Sequence, residues 1–265
     1  MTAAQKPQMK IGLLDIETAP ILGAVWGLWM NNVGLNMIER DWYILSYCFK
    51  WLGDTKIHYT DKRKSWDNED DTQMLTELWK FLDEADVIVA QNGRRFDAKK
   101  INARFILNGF PPPSPYKIVD TLEQAKASFG FTSNKLEYMT DKLCSVKKIK
   151  HNEFPGFELW KECLKGNPKA WRCMKKYNIQ DVTSMEELYL IMLPWIKGHP
   201  NYGLYVNPDE PICNRCGSNQ LQKRGDYKTD VGVYTRYHCT GCGGWLRGRK
   251  LMNSPEARRM LLTGI

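Results

Sequence analysis

The chain has 265 residues, 43% of them hydrophobic and 26% charged, and a formal net charge of +8 at pH 7. That length suffices for one sizeable domain and a small module, and no run of eighteen apolar residues could cross a membrane. Residues 1–10 lack the apolar core of a secretory signal, so we expect a soluble cytoplasmic protein with no membrane partner.

The first predicted element is a strand over residues 11–18, Ile-Gly-Leu-Leu-Asp-Ile-Glu-Thr. Alternate side chains of a strand share a face, so Asp15 and Glu17 project together. At ~4 Å and an effective dielectric of ~20, their repulsion is roughly 4 kcal/mol. A divalent ion such as Mg²⁺ or Mn²⁺ would remove that cost, because it prefers carboxylate oxygens as ligands. The alternative is a strand that ends in a solvated turn with both acids exposed.

Further elements follow from hydrophobic periodicity and from the positions of Gly and Pro. The Trp- and Gly-rich residues 20–35 show little periodicity and predict a loop with at most a short helical turn. Strands are predicted at 43–51, 56–59, 87–90 and 117–119, and helices at 71–84, 97–108, 122–128, 134–144, 156–164 and 168–193. This order predicts a mixed α/β sheet flanked by helices, not a doubly wound parallel sheet.

Two further acids occur where a metal site would need them. Asp97 follows the strand that ends near residue 90, and α/β sheets bind ligands at the carboxyl ends of their strands. Tyr177 and Asp181 are four residues apart in the last long helix, so they project from one helix face. Each has another explanation when taken singly. Asp97 suits any helix N-terminus, Asp181 an exposed helix surface and Tyr177 a hydrophobic core.

Three segments in this order resemble the DEDD (DnaQ-like) 3′–5′ exonuclease superfamily, a branch of the ribonuclease H-like fold. They are Asp-Ile-Glu-Thr at 15–18, Asn-Gly-x-x-Phe-Asp at 92–97 and Tyr-x-x-x-Asp at 177–181, the last typical of the tyrosine subclass. The resemblance spans about residues 10–193. Residues 91–143 are also similar to a ribonuclease H-like exonuclease group common in phages, through Asn-Gly-x-x-Phe-Asp, Gly-Phe-Pro-Pro-Pro and Ser-Asn-Lys-Leu. Gln91 stands where many relatives have His, which leaves one substrate contact open.

The resemblance implies hydrolysis of phosphodiester bonds with two Mg²⁺ or Mn²⁺ ions. Asp15 would bridge both ions, and Glu17 and Asp181 would complete the site of the water-bearing ion. Asp97 would hold the second ion, and Tyr177 would orient the attacking water. Nucleic-acid contacts are expected in the same domain from Thr18, Asn92 and Phe96.

Eight cysteines divide into two groups. Cys213-x-x-Cys216 and Cys239-x-x-Cys242, separated by twenty-two residues, are typical of a structural Zn²⁺ site with four thiolates and no open catalytic position. A module this small would depend on the ion to fold. The remaining cysteines are predicted to be buried free thiols, since no extracellular disulfide framework is indicated. They are Cys48, Cys144, Cys163 and Cys173.

The excess positive charge lies in this cysteine-rich module. Residues 1–210 contain 28 Lys and Arg against 27 Asp and Glu, whereas residues 211–265 contain 10 against 3. Basic side chains interleaved with aromatic ones suit phosphate contact and base stacking on a single strand. A solubilising surface and a docking site for a replication or repair protein are the alternatives. The candidate strand-binding residues are Lys223, Arg224, Arg236, Trp245, Arg247 and Arg249.

The predicted organisation is a ribonuclease H-like exonuclease domain at 1–193, a Pro-, Gly- and Asn-rich linker at 194–211 and a zinc ribbon at 212–265. Ser254-Pro255 predicts a short terminal helix that includes residues 260–262. The predicted function is a metal-dependent 3′–5′ exonuclease of single-stranded nucleic acid, with DNA preferred over RNA. The alternatives are an RNA-directed exoribonuclease and a catalytically inactive nucleic-acid-binding adaptor on a decayed nuclease fold. The presence of all four carboxylates and of Tyr177 argues against the adaptor.

Overall fold

The computed structural model describes residues 8–29, 32–147 and 153–264, and the chain divides into two compact units. The larger unit is Lys10–Tyr189, and the smaller unit combines the described residues from Leu190 onward with residues 8 and 9. Strands of the larger unit are β1 (Ile11–Thr18), β2 (Leu22–Gly23), β3 (Ile38–Arg40), β4 (Ile44–Trp51), β5 (Ile57–Asp61), β6 (Val87–Ala90) and β7 (Lys117–Asp120). Its helices are α1 (Thr72–Glu84), α2 (Asp97–Leu107), α3 (Thr121–Ser128), α4 (Leu136–Leu143), α5 (Glu158–Cys163) and α6 (Pro168–Met192), which ends beyond the boundary.

Five strands of the described residues form one sheet in the order β5-β4-β1-β6-β7. β1 pairs antiparallel with β4 and parallel with β6, and β7 continues the parallel half of the sheet. The predicted mixed α/β sheet is therefore confirmed. β1 lies at its centre, and the parallel strands β1, β6 and β7 all end at the edge where the acidic residues follow.

The two faces of β1 have different environments. Leu14 and Ile16 pack in a core with Leu78 of α1 and Ile101 of α2. Asp15 is paired across the sheet with Cys48, and side chains at these positions point to the opposite face. The long helix α6 contacts that opposite face of the sheet, as the hydrogen bonds of its residue Asn178 to Asp15 show.

The sequence prediction was incomplete for the short strands and helices. The segment 20–35, predicted as a loop, contains β2, which pairs with β3, and a 3₁₀ helix begins at Leu35. Strands of two and three residues show no readable alternation, so periodicity cannot reveal them. Cys173 was predicted to be buried but is half-exposed, whereas Cys48, Cys144 and Cys163 are buried free thiols.

The smaller unit contains a three-stranded antiparallel sheet, here called the ribbon, in the order β10-β9-β8. Its elements are α7 (Gly203–Val206), β8 (Leu221–Lys228), β9 (Val233–Cys239), β10 (Trp245–Leu251) and α8 (Pro255–Arg259). α7 lies inside the segment predicted as a linker, and its four residues are too few for a helical pattern.

The terminal helix is shorter than predicted. The Ser254 hydroxyl accepts a hydrogen bond from the Ala257 N–H at 3.2 Å, as expected for a cap. The helix ends at Arg259, so the prediction that it includes residues 260–262 was wrong. Met260 and Leu262 are 83% and 95% exposed, and a helix this short is not stable without apolar packing. Among the described residues, no helix is long and apolar enough to span a bilayer.

Candidate active site

Three of the four predicted carboxylates lie together in the larger unit. Asp15 and Glu17 project from one face of β1, and Asp181 approaches from α6. One ligand oxygen from each lies within 4.8 Å of the others. Several carboxylate oxygens at one point are the donor set that hard divalent cations prefer, and without a cation their charges repel. The three residues therefore fit a divalent metal ion.

Asp97 lies in the same cleft but outside this cluster of three. It is the first residue of α2 and is 4% exposed. Its Oδ1 accepts a hydrogen bond from the Ile16 N–H at 3.1 Å, which ties it to β1 between Asp15 and Glu17. Burial raises the pKa of Asp97 to about 7, although the Ile16 N–H favours the charged form. A cation nearby would favour the charged carboxylate.

Tyr177 lines the cleft from α6, one helical turn before Asp181. Its ring packs edge-to-face against Trp160 of α5, with the ring centroids 6.0 Å apart and the planes at 78°. This contact orients the phenol ring. The predicted i, i+4 pair on α6 thus reaches the same cleft as the acids of β1.

The cleft has a volume of about 590 Å³ and combines acidic, basic and apolar walls. Of the three residues predicted to contact nucleic acid in this domain, Asn92 and Phe96 line the cleft, whereas Thr18 is not among its lining residues in the described chain. Lys126 and Lys135 bring positive charge to the rim, and Leu122 adds an apolar surface beside Phe96. Such a wall can contact a phosphate and a flat apolar group together.

The side chain of Gln91 makes hydrogen bonds within the protein at both ends of its amide. Its Oε1 accepts a hydrogen bond from the Thr121 hydroxyl at 2.5 Å, and its Nε2 donates to the Asn134 carbonyl at 3.0 Å. The side chain therefore joins the end of β6 to the start of α3 and to the loop before α4. Gln91 also lines the cleft, so both ends of its amide bind the wall of the cleft to which it belongs.

Sequence analysis missed Asn178 as a functional residue. Its Nδ2 donates to Asp15 at both the main-chain carbonyl (3.2 Å) and Oδ2 (2.5 Å), and its Oδ1 accepts from the Ser46 hydroxyl at 3.1 Å. Asn178 and Ser46 are both fully buried. A buried amide that bonds to a metal-binding carboxylate fixes its orientation. The sequence offered one indication of this role, since Asn178 is a polar residue on the inward side of α6. The adjacent Tyr177 was selected as the candidate instead.

Asp120 was also missed. It is 1% exposed, ends β7 and accepts main-chain hydrogen bonds from Asn92 and Arg94 at 2.9 and 3.1 Å. It also caps α3 by accepting from the Leu122 N–H at 3.0 Å. Asn92 has the left-handed φ of 62°, and these bonds hold that turn in place. Asp120 therefore shapes the turn that leads into Asp97.

Asn178→Ala is expected to weaken Mn²⁺ binding ~10–100-fold, the usual effect of removing a group that orients a metal ligand. The substitution also leaves the Ser46 hydroxyl without its acceptor, which costs ~1–3 kcal/mol of folding free energy. Titration of Mn²⁺ by electron paramagnetic resonance measures the affinity. Thr183→Ala is the matched control, because the Thr183 hydroxyl on the same helix bonds only main-chain carbonyls. Equal Mn²⁺ affinity in the two variants would contradict a positioning role for Asn178.

The four predicted zinc cysteines also come together, in the smaller unit. The Sγ atoms of Cys213 and Cys242 are 3.7 Å apart, as are those of Cys216 and Cys239. A regular tetrahedron with Zn–S bonds of ~2.3 Å has edges of about 3.8 Å, so the spacing fits one Zn²⁺. In the absence of a cation, burial raises the pKa of Cys242 to about 11. A cation bound at this point would favour the thiolate form of Cys242.

The remaining sequence candidates lie on the ribbon. Lys223 and Arg224 belong to β8, and Arg236 belongs to β9. Trp245, Arg247 and Arg249 belong to β10.

A family model of the RNase H superfamily matches residues 32–193, more than half of the chain. The match includes Asp97, Tyr177 and Asp181 and begins after β1. Among solved structures, the family B DNA polymerase from the hyperthermophilic archaeon Pyrobaculum calidifontis is similar, with a TM-score of 0.54 and 16% sequence identity. The alignment covers 87% of this chain but only 32% of the polymerase, and at this identity it shows a shared fold. A sequence comparison with curated proteins gives no match.

Proposed function

The chain belongs to the RNase H superfamily, and on that basis we propose that it is a metal-dependent 3′–5′ exonuclease of single-stranded nucleic acid, with DNA preferred over RNA. The observation that carries the proposal is the cluster of Asp15, Glu17 and Asp181 within 4.8 Å, at a cleft that Asp97 also lines. The direction of attack rests on the resemblance of the three acidic segments to the DEDD tyrosine subclass.

The proposed metal ligands are Asp15, Glu17 and Asp181 for one Mg²⁺ or Mn²⁺ ion, with Asp15 and Asp97 serving a second. When bound, such ions supply an activated water and stabilise the charge on the leaving oxygen. Asn178 holds Asp15 in the orientation that this requires, and the Ile16 N–H does the same for Asp97.

The other cleft residues would position the strand and the water. Tyr177, its ring held by Trp160, would hydrogen-bond the attacking water. Lys126 and Lys135 would contact phosphates, and Phe96 and Leu122 would contact the terminal nucleoside through their apolar surfaces. The cleft thus offers a place for each part of a terminal nucleotide beside the carboxylates.

The proposal is tested by incubating DNA and RNA single strands, labelled at either end, with Mg²⁺, Mn²⁺ or EDTA. We expect a 5′-labelled strand to shorten stepwise and a 3′-labelled strand to release its labelled mononucleotide at once. EDTA should stop both reactions. Internal cleavage or shortening from the 5′ end would contradict the exonuclease assignment. Binding without cleavage under all conditions would favour the inactive adaptor.

The metal response should depend on pH through Asp97. Its pKa of about 7 in the metal-free protein exceeds the ordinary value of 3.8. A group whose pKa is higher in the folded protein than in the unfolded chain stabilises the fold. This stabilisation is complete below the ordinary pKa and is lost as the pH rises through about 7. We expect the Tm of the metal-free protein to fall between roughly pH 5 and pH 8, and Mn²⁺ to raise Tm more at the higher pH. Scanning fluorimetry measures both effects.

Asp97→Asn is the informative comparison for this prediction. Asparagine keeps an oxygen that can accept from the Ile16 N–H but cannot ionise. The part of the Tm decrease that is due to Asp97 should disappear, and the Mn²⁺ stabilisation should shrink and depend less on pH. An unchanged pH profile in the Asn variant would mean that another group controls the metal response.

A further inference from the structure

Strand register sorts the side chains of the ribbon into two faces. Residues directly opposite each other in antiparallel strands share a face, and the face alternates along each strand. Trp245 pairs with His238, Arg247 with Arg236, and Tyr227 with Tyr234. These six residues lie on one face, which we call the arginine–aromatic face.

The members of this face contact one another as a continuous strip. The guanidinium of Arg236 lies 5.2 Å from the ring centroid of Trp245, and that ring lies 4.8 Å from the ring of His238. The guanidinium of Arg247 lies 4.2 Å from the ring of Tyr234 and 6.0 Å from the ring of Tyr227. Cations and flat rings thus alternate across all three strands, held by cation–π contacts.

The positive charge on this strip is not neutralised within the ribbon. Arg236 and Arg247 stand directly opposite each other, and like charges at paired positions destabilise a sheet. Their contacts in the described part of the chain are with rings and with the Arg224 carbonyl, and none is an ion pair. Asp226 is paired with Thr235, so it lies on the opposite face. An anionic ligand would relieve this repulsion.

We infer that the arginine–aromatic face binds the single strand, with Arg236 and Arg247 on phosphates and with Trp245 and Tyr227 stacked on unpaired bases. Trp245 is 53% and Tyr227 45% exposed, so both rings are accessible. Inside a duplex both faces of each base are covered by the neighbouring base pairs, whereas the bases of a single strand can expose a face to a ring, which favours a single strand over a duplex. The inference rests on the proposed function for the class of ligand.

This assignment separates the basic candidate residues of the ribbon according to the face on which they lie. Arg224 is hydrogen-bonded through its guanidinium to Gln222, which pairs with His238, so it borders the same face. Lys223 pairs with Tyr237 and points to the opposite face. Arg249 lies where the β9–β10 pairing shifts, so register does not assign it to a face. The proposed binding strip is therefore smaller than the set of basic residues in the ribbon.

The test uses the full-length protein and a fluorescent oligothymidine strand in a buffer that contains neither Mg²⁺ nor Mn²⁺ and no chelator, so that binding is measured by anisotropy without hydrolysis and the cysteine cluster keeps its ion. Arg247→Ala should lower the slope of log affinity against log salt by roughly 0.7, the value for one phosphate contact on a single strand. Trp245→Ala should weaken binding roughly 5- to 150-fold with little change in slope, whereas Trp245→Tyr should retain most of the affinity. Lys228→Ala, which removes an exposed cation from the opposite face, should leave affinity and slope unchanged.

Competition with a duplex and with polyglutamate completes the experiment, and both should compete more weakly than the single strand. Equal competition by either would overturn the inference, because it would indicate a surface for any polyanion. Equal effects of Lys228→Ala and Arg247→Ala, or wild-type binding by Trp245→Ala, would also overturn it. Because Mg²⁺ and Mn²⁺ are left out, the strand is not hydrolysed, and these outcomes are independent of the end-label assay. The end-label assay can fail while the face still binds the strand, and the face can fail to bind the strand while the end-label assay succeeds.

Discussion

Asp15→Asn is expected to lower the rate of hydrolysis of a labelled single strand by several orders of magnitude while the fold is retained. Asp15 lies at the centre of the cluster, within 4.8 Å of Glu17 and Asp181, and is the proposed ligand common to both ions. Asparagine has the same shape but no charge, and it keeps an oxygen that can accept from Asn178. Loss of the charge should also relieve repulsion, so the metal-free variant should melt no lower than the wild type.

Turnover of the end-labelled strand and the Mn²⁺-dependent shift in Tm are the two measurements. Asp141→Asn makes the same chemical change at an exposed carboxylate on α4, outside the cleft, and should leave both unchanged. Tyr177→Phe should lose less activity, ~10–1,000-fold, if the phenol only orients the water. Near-wild-type turnover by a verified Asp15→Asn preparation would exclude the proposed metal site.

Removal of the ion from the cysteine cluster should unfold the smaller unit. From Gly203 onward, the fully buried apolar side chains of the described residues are those of Cys213 and Cys239, both in the cluster. The ribbon thus lacks a conventional core, and a structural Zn²⁺ contributes ~10–16 kcal/mol of binding free energy in comparable small modules. We therefore expect Cys239→Ser to abolish zinc binding and the ordered structure of the ribbon.

Zinc content by mass spectrometry and the near-ultraviolet circular dichroism of the ribbon aromatics report these losses. Cys173→Ser, at a half-exposed thiol outside the cluster, should retain one zinc per chain. A zinc-free Cys239→Ser protein that kept the ribbon signals would show that the sheet is stable without the ion. Retention of one zinc per chain by that variant would place the metal elsewhere.

Much of the fold follows from periodicity, because apolar side chains recur with the repeat of the element that buries them. The predicted strand at 11–18 and the predicted helices at 71–84 and 168–193 agree with the structure within a residue or two. The short strands β2 and β3 and the four-residue helix α7 were not predicted, since a repeat needs several periods to be visible. The terminal helix that begins at Pro255 was predicted, but its predicted extension through residues 260–262 was wrong, because the apolar side chains there are exposed.

In the candidate site, too, the local relations between residues could be predicted and the long-range contacts could not. Strand alternation placed Asp15 and Glu17 on one face, and helix spacing placed Tyr177 and Asp181 together, because both relations are local. The groups that support these residues are not local. Ser46 and Asn178 are 132 residues apart, and Asp120 is 28 residues from Asn92, whose N–H it binds. No repeat in the chain encodes a hydrogen bond between such distant positions.

The sequence by itself determined which groups are present: acids that suit divalent ions, paired cysteines that suit zinc, and arginines among aromatic residues. The tertiary structure alone decided which of these groups meet. Sheet register placed Arg236 opposite Arg247 and turned Lys223 to the other face. Packing of α6 on the sheet brought Asp181 to Asp15, and burial raised the pKa of Asp97. Composition and spacing act along the chain, whereas register, burial and long-range hydrogen bonds arise only when distant segments pack together.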